Sequence, residues 1–209
     1  MMISHAHKTV FVHIPKTGGQ SVETVFLNDL DLAWRDRAVL LLRQNANPRM
    51  GPQKLAHLYA DEYVALGHML AEDFDRYLRF AIVRHPYERA LSEFRYRAGA
   101  AAKRGQVLEL DIFLNTEIKD DYSDGSRHLV PQVRYVTDAR GRVLVDRVLR
   151  FERLAQDIAP VFRKIFGRDR RLPHKNRSRV GLDARLSPVQ ADMLFERYRA
   201  DFEAFGYDR

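Results

Sequence analysis

Residues 8–21, KTVFVHIPKTGGQS, restrict the possible folds of this chain more than any other stretch. The apolar run VFVHI is typical of a buried strand, and Pro15 ends that strand because proline has no backbone N–H donor. Gly18 and Gly19 permit a tight turn, in which backbone N–H groups and the start of the next helix present positive partial charge to a ligand. Lys16 adds a full positive charge. The stretch therefore predicts a strand–turn–helix unit with a pocket for phosphate or sulfate.

This turn differs from the Walker A loop, G-x-x-x-x-G-K-[ST], because its lysine precedes the glycines. It resembles the 5′-phosphosulfate loop of sulfotransferases that use 3′-phosphoadenosine 5′-phosphosulfate (PAPS). The resemblance implies that the loop holds the 5′-phosphosulfate of the donor. The cofactor-binding residues that it implies are Lys16, Thr17, Gly18, Gly19, Gln20 and Ser21. A glycine-rich turn with a solvated lysine is the alternative interpretation.

A second strand-to-helix unit follows later in the chain. Residues 80–83 have the composition of a buried strand, Arg84 lies at its end, and Pro86 fits the first turn of a helix over residues 87–97. Ligands of open α/β sheets gather at the carboxyl ends of the strands. Two strands that end in basic residues are therefore predicted to face one anionic ligand.

The stretch RHPYERALS also matches the R-x-P-x-x-R-x-x-S pattern with which PAPS-dependent sulfotransferases hold the 3′-phosphate. The resemblance implies phosphate contacts for Arg84 and Ser92. Arg89 matches the pattern as well. A basic residue early in a helix is equally compatible with a solvated position or with an i,i+4 pair to Glu93.

Gly67 and His68 lie between the two motifs. They resemble the Gly-His segment of the heparan- and chondroitin-type carbohydrate sulfotransferases, in which a histidine is the general base. An imidazole accepts a hydroxyl proton readily near neutral pH. The resemblance implies His68 as the catalytic base and Lys16 as the catalytic group that neutralises charge on the leaving oxygen. A histidine before an apolar run is otherwise a core or surface residue, and His13 is expected to be structural.

Residues 128–154 alternate in polarity around a turn at residues 138–141, which predicts a strand, a tight turn and a return strand. Within this stretch, His128 and Gln132 resemble an H-x-x-x-Q arrangement of the same carbohydrate sulfotransferases. Gln132 is a candidate contact to the acceptor or the cofactor, and a structural amide is the alternative.

Residues 163–185 carry nine basic and two acidic side chains and show no apolar periodicity. The segment resembles a late loop over the 3′-phosphate and adenine in PAPS enzymes. That resemblance implies cofactor contacts for Lys175, Asn176 and Arg177. A solvated basic loop is the competing interpretation. After it, Ser187 and Gln190 form a capping box that predicts a long terminal helix.

Composition narrows the class of protein. The 209 residues suit one domain, residues 1–209, and the absence of cysteine excludes disulfides and thiolate metal sites. No His, Asp or Glu group has metal-ligand spacing, so no metal is expected. No run reaches the roughly 18 apolar residues of a membrane span and the N-terminus has no apolar signal region, so we expect a cytoplasmic protein.

The net charge of +7 is unevenly distributed. Residues 1–139 hold 18 basic and 18 acidic side chains, whereas residues 140–209 hold 17 and 10. The surplus is therefore confined to the last third of the chain. Such a patch suits an anionic cofactor, an anionic polymer or a nucleic acid.

The motifs together identify the chain as similar to PAPS-dependent sulfotransferases, closest to the heparan- and chondroitin-type carbohydrate enzymes. The resemblance implies an α/β, P-loop-like sulfotransferase fold with a central, mainly parallel sheet flanked by helices. It also implies in-line, metal-free sulfuryl transfer from PAPS to a hydroxyl-bearing acceptor, a carbohydrate or glycolipid. Animal Golgi members carry an N-terminal anchor and stem that this sequence lacks, which favours a bacterial enzyme.

Two other functions are compatible with the residues. One is a P-loop kinase or phosphotransferase, which the missing Walker A pattern disfavours. The other is a basic polyanion-binding module with a degenerate nucleotide site. A nucleic acid partner is not expected, because no recognisable reading motif is present.

Overall fold

The computed structural model describes residues 2–119, 121–173 and 185–209. Its described part is a mixed α/β structure around a four-stranded sheet. The strands lie in the order β1 (Met2–Ser4), β2 (Thr9–Val12), β3 (Leu78–Val83) and β4 (Arg147–Arg150). β1 pairs antiparallel with β2, whereas β2, β3 and β4 are parallel. The mainly parallel sheet predicted from the sequence is confirmed.

Helices connect and flank the strands. The α-helices are α1 (Gly19–Asp29), α2 (Glu62–Ala65), α3 (Ala71–Arg76), α4 (Pro86–Ala102), α5 (Leu110–Leu114), α6 (Asp124–Arg127), α7 (Gln132–Val136), α8 (Leu154–Phe166) and α9 (Pro188–Phe205). Short 3₁₀ helices span Trp34–Leu40, Pro48–Met50, Leu55–His57 and Phe151–Arg153. Among the described residues, each helix is too short or too polar to cross a lipid bilayer.

The sheet is buried on both faces. Because side chains alternate across a strand, Val10 and Val12 of β2 pack into one apolar cluster and Phe11 into the other. The first cluster includes Tyr63 and Tyr135, and the second is formed largely with α1 and α8. Burial on both faces explains why the parallel strands have continuous apolar runs in the sequence.

A third apolar cluster joins α4, α5 and α9 beside the sheet. The long terminal helix begins as predicted, with Ser187 as its N-cap and Gln190 closing the capping box. It packs against α4, the helix that follows β3. This packing fixes the helix that starts just after Arg84.

The prediction of a strand before the turn at residues 138–141 is wrong. Residues 132–136 form α7, whose N-terminal N–H groups at Gln132 and Val133 donate to the buried carboxylate of Asp201 on α9. The turn itself is present, with Gly141 N–H bonded to Asp138 and a single bridge between Thr137 and Val143. The alternation of polar and apolar residues indicated a strand here. A cap from the distant α9 stabilises a helix instead.

The segment after α1 forms the 3₁₀ helix Trp34–Leu40, which ends at Leu41 in a left-handed conformation with φ 66°. The left-handed residue breaks the helical path, so no longer helix forms there.

Candidate active site

The loop between β2 and α1 makes a tight turn, as predicted. Lys16 and Gly18 are both left-handed, with φ 71° and 84°. The hydroxyl of buried Thr17 donates to the carbonyl of Ile14 at 2.8 Å, and α1 starts at Gly19. Ser21 is buried in the first turn, where its N–H donates to the carbonyl of Gly18, the N-cap of α1.

Gly19 is required by a buried histidine beneath the loop. A Cβ at position 19 would lie 2.3 Å from His13 Cδ2. His13 Nδ1 lies 2.6 Å from Glu23 Oε1 of α1, which holds the ring in place. Burial raises the pKa of Glu23, but the contact with His13 and further positive charge, including that of Arg37, together lower it. The geometry agrees with the structural role expected for His13.

Arg84 lies beside the loop. Its Nη1 donates to the Lys16 carbonyl at 3.5 Å, and its guanidinium stacks 4.5 Å from the centre of the Phe151 ring. A Cβ on Gly18 would lie 3.0 Å from the same ring, so Phe151 contacts both parts of the site. The two motifs, 68 positions apart in the chain, therefore meet at the carboxyl ends of β2 and β3.

Gln132 anchors the backbone of Arg84. Its Oε1 accepts the Arg84 N–H at 2.9 Å, and its Nε2 donates to the Arg84 carbonyl at 2.8 Å. The side chain is completely buried. The amide is therefore committed to the protein interior, and the structural alternative describes Gln132 better than a direct ligand contact.

Lys16 points its ammonium at an aromatic ring. Nζ lies 4.4 Å from the centre of the Tyr96 ring on α4. Burial lowers the pKa of Lys16, the carboxylate of Glu93 raises it, and the nearby Arg84 lowers it again, with a net lowering. The ammonium thus lies in a partly desolvated position, where it interacts strongly with an anion.

Arg89 is neither solvated nor paired with Glu93, so both alternatives considered from the sequence are wrong. It is fully buried, and Nη2 donates to the carbonyls of His128 and Val130 at 2.8 Å each, while Nε reaches the Pro15 carbonyl at 3.4 Å. Arg89 therefore supports the backbone just before Lys16. Ser92, one turn later on α4, is largely buried.

The other predicted residues take varied positions. Gln20 is exposed in the first turn of α1.

His68 is partly exposed after α2, and its Nε2–H donates to the Met50 carbonyl at 2.7 Å. This bond leaves Nδ1 as the unprotonated nitrogen of a neutral ring. Among the described residues, no hydrogen bond or ion pair joins His68 to Lys16 or Arg84. Lys175, Asn176 and Arg177 lie outside the described residues.

A buried polar cluster next to the loop was not predicted. His57 Nδ1 donates to Asp124 at 2.7 Å, and His128 Nδ1 donates to Glu93 at 2.8 Å. The rings of His57 and His128 lie 4.8 Å apart, and His57 lies 5.3 Å from His13. Burial lowers the pKa of His57 well below its usual value, although Asp124 opposes the shift. Of these residues, only His128 belonged to a motif in the sequence. The cluster itself was not predicted, because its members lie far apart in the chain.

The site has the features of an anion-binding centre. Two cationic side chains, Lys16 and Arg84, meet at a glycine turn that opens a helix of 11 residues. Helix N-termini and exposed backbone N–H groups bind phosphate and sulfate, and a planar guanidinium matches two of their oxygens. The arrangement can hold two anionic groups of one ligand and stabilise negative charge that develops between them.

Comparison with known proteins agrees with this chemistry. The family model described as the sulfotransferase family matches residues 1–208. Among curated proteins, none matches the chain. Since the family model covers nearly the whole sequence, the chain belongs to the sulfotransferase family, whose members transfer sulfuryl groups.

Proposed function

We propose that this sulfotransferase uses PAPS as its donor and transfers the sulfuryl group to a hydroxyl of a carbohydrate or glycolipid. The observation that carries the proposal is the contact between Arg84 and the Lys16 carbonyl, at 3.5 Å. It supports a site in which the β2–α1 loop holds the 5′-phosphosulfate while Arg84 and Ser92 hold the 3′-phosphate. Lys175, Asn176 and Arg177 are proposed as further donor contacts.

The residues of the loop fit such a donor. Gly18 permits the left-handed turn, after which the backbone N–H groups of residues 17–20 are proposed to bind the phosphosulfate. Lys16 supplies a cation beside them. The Glu88 carboxylate, which accepts from Arg84 Nη2 at 3.3 Å, is half exposed and is readily displaced by a phosphate. The hydrogen-bond donors of the site are therefore cationic side chains and backbone N–H groups, which suit a nucleotide with two anionic groups.

The proposed reaction is an in-line displacement at sulfur. The acceptor oxygen forms a bond to sulfur while the bond from sulfur to the bridging oxygen breaks, and adenosine 3′,5′-bisphosphate leaves. Lys16 neutralises the charge that develops on the bridging oxygen. His68 Nδ1 accepts the hydroxyl proton, because Nε2–H is held by the Met50 carbonyl. The bacterial origin and cytoplasmic location expected from the sequence remain part of this proposal.

A thermal-shift titration tests the donor. We expect adenosine 3′,5′-bisphosphate to raise the melting temperature far more than ADP, ATP or AMP, because only the bisphosphate engages both the loop and Arg84. Arg84→Ala should reduce this rise strongly. Arg76→Ala is the matched control, since Arg76 is exposed and precedes β3 rather than following it.

Two outcomes would contradict the donor assignment. A larger rise with ATP and Mg²⁺ than with the bisphosphate would favour the phosphotransferase alternative. No response to any nucleotide, together with strongly salt-dependent binding to any DNA, would favour the polyanion-binding module.

Replacement of His68 tests the base. His68→Ala should lower transfer of radiolabelled sulfur from PAPS to a panel of desulfated glycans and glycolipids by about 10²–10⁴-fold, the usual contribution of a general base. Stabilisation by the bisphosphate should stay unchanged, because His68 bonds to the Met50 carbonyl and, among the described residues, forms no hydrogen bond with the loop. His5→Ala is the control. Normal turnover of His68→Ala would show that another group accepts the proton.

A further inference from the structure

His57, Asp124 and His128 form a compact group of metal-ligand side chains beside the loop. One ligand atom from each residue lies within 4.8 Å of the other two. Asp124 and His128 lie on and just after α6, whereas His57 ends the 3₁₀ helix Leu55–His57. The group is separate from the cationic residues Lys16 and Arg84, to which the anionic donor is assigned.

His128 has a nitrogen that no protein group uses. Its Nδ1–H donates to Glu93 Oε2 at 2.8 Å, so Nε2 carries the lone pair of the neutral ring. Among the described residues, Nε2 is a buried atom without a hydrogen-bond partner, and it lies 3.6 Å from Asp124 Oδ2. The side chain is only 10% exposed. A buried imidazole nitrogen directed at a carboxylate oxygen without a bond is unusual, because buried polar atoms are normally paired.

The contact between Glu93 and His128 is the arrangement that supports metal-binding histidines. A ligating histidine almost always donates its other ring N–H to a carboxylate or a carbonyl, which fixes the ring and makes the free nitrogen more basic. Glu93 is itself held by Arg97 Nε at 2.7 Å and is nearly fully buried. The support for His128 is therefore rigid, and Nε2 is oriented toward Asp124.

We propose that His57, Asp124 and His128 bind a divalent transition-metal ion of the zinc class. In the structure His57 Nδ1–H donates to Asp124 Oδ1 at 2.7 Å. When the ring proton lies on Nε2 instead, Nδ1 carries the lone pair, and small side-chain shifts bring the three ligand atoms around one ion. Two imidazoles and one carboxylate favour Zn²⁺, Co²⁺ or Ni²⁺ over Mg²⁺ and Ca²⁺, which prefer oxygen ligands. Three protein ligands leave a fourth position for water.

Lys54 competes with the ion for Asp124. Its Nζ forms a short ion pair, 2.5 Å, with Oδ2, the same oxygen that His128 Nε2 faces. Binding of the ion displaces the ammonium, and the Lys54 side chain, 38% exposed, can move into solvent. Removal of this ammonium should therefore increase metal affinity. If the pair of Lys54 and Asp124 were only structural, its removal would not increase metal affinity.

The test uses metal-free full-length protein and two probes, Co²⁺ and Zn²⁺. Titration with Co²⁺ should give the visible absorption bands of a site with nitrogen and oxygen ligands, at one ion per chain. Zn²⁺ should abolish these bands by competition. Lys54→Met should bind about tenfold more tightly, and His128→Gln and Asp124→Asn should each bind at least about tenfold more weakly. His5→Ala, a histidine outside the cluster, should bind as wild type does.

Two results would overturn the proposal. One is the absence of saturable binding of either ion, at concentrations up to about 100 µM, in both wild type and Lys54→Met; this range corresponds to an affinity weaker than about −5.5 kcal/mol. The other is equal binding by wild type and His128→Gln with unchanged circular dichroism. Lys54 is 38% exposed, so Lys54→Met should fold normally. The proposal can therefore be tested even if a variant of a buried ligand fails to fold.

Discussion

Gly19 is the residue at which the loop tolerates least change. The ring of His13 occupies the position that a Cβ would take, at 2.3 Å, and the ring cannot move away because Glu23 holds it from α1. The close contact of the backbone with a buried ring explains why a glycine is needed here, although Gly19 does not have a positive φ. At Gly18 the reason is different, because the backbone itself is left-handed.

Gly19→Ala should destabilise the protein by about 1–3 kcal/mol, the usual cost of forcing an extra methyl group into a packed region. Urea unfolding followed by circular dichroism measures the change as a lower midpoint. Gly125→Ala is the control, since the nearest atom to its added Cβ is Arg97 Nη2 at 4.0 Å. Equal midpoints for the two variants would mean that His13 moves away without cost.

Among the elements, α9 controls the site from a distance. Its Asp201 is completely buried and accepts the N–H groups of Gln132 and Val133, which start α7. Gln132 in turn holds both backbone polar groups of Arg84. Burial raises the pKa of Asp201, while Arg89 and these N–H groups oppose the shift. A carboxylate on the last helix is therefore connected to the proposed 3′-phosphate residue through one glutamine.

Asp201→Ala should lower the free energy of unfolding by about 2–5 kcal/mol, because it leaves two buried N–H groups without their acceptor and removes the carboxylate that lies 4.0 Å from the buried Arg89 Nη1. Chemical denaturation gives this value directly. Asp192→Ala on the same helix is the control; its pair with Arg209 is exposed, so its loss should cost no more than about 1 kcal/mol. A loss below that limit for Asp201→Ala would show that water replaces the carboxylate.

At the scale of the whole molecule, strand register brings the two motifs together. Val12 pairs with Ala81 in the parallel ladder of β2 and β3, so the chain leaves both strands at the same edge of the sheet. Lys16 and Arg84 follow their strands at that edge and lie in contact. Apolar clusters on both faces hold the sheet rigid, which keeps the two turns at a fixed separation.

The sequence by itself determined the features that depend on neighbouring residues. The strand before Pro15, the glycine turn, the helix that starts at Pro86 and the capping box at Ser187 all follow from local backbone preferences and apolar spacing. The family also follows from these motifs, because the residues of each motif are contiguous. Local patterns were enough to predict an element wherever neighbouring residues supply its hydrogen bonds and its cap.

The tertiary structure alone decided what depends on distant partners. α7 replaced a predicted strand because Asp201 caps it, and Arg89 is buried because carbonyls of a separate segment surround it. The cluster of His57, Asp124 and His128 had no signal in the spacing of its residues, since the first is 67 positions from the second. Side-chain chemistry of this kind arises from packing, and packing brings together residues that no local pattern relates.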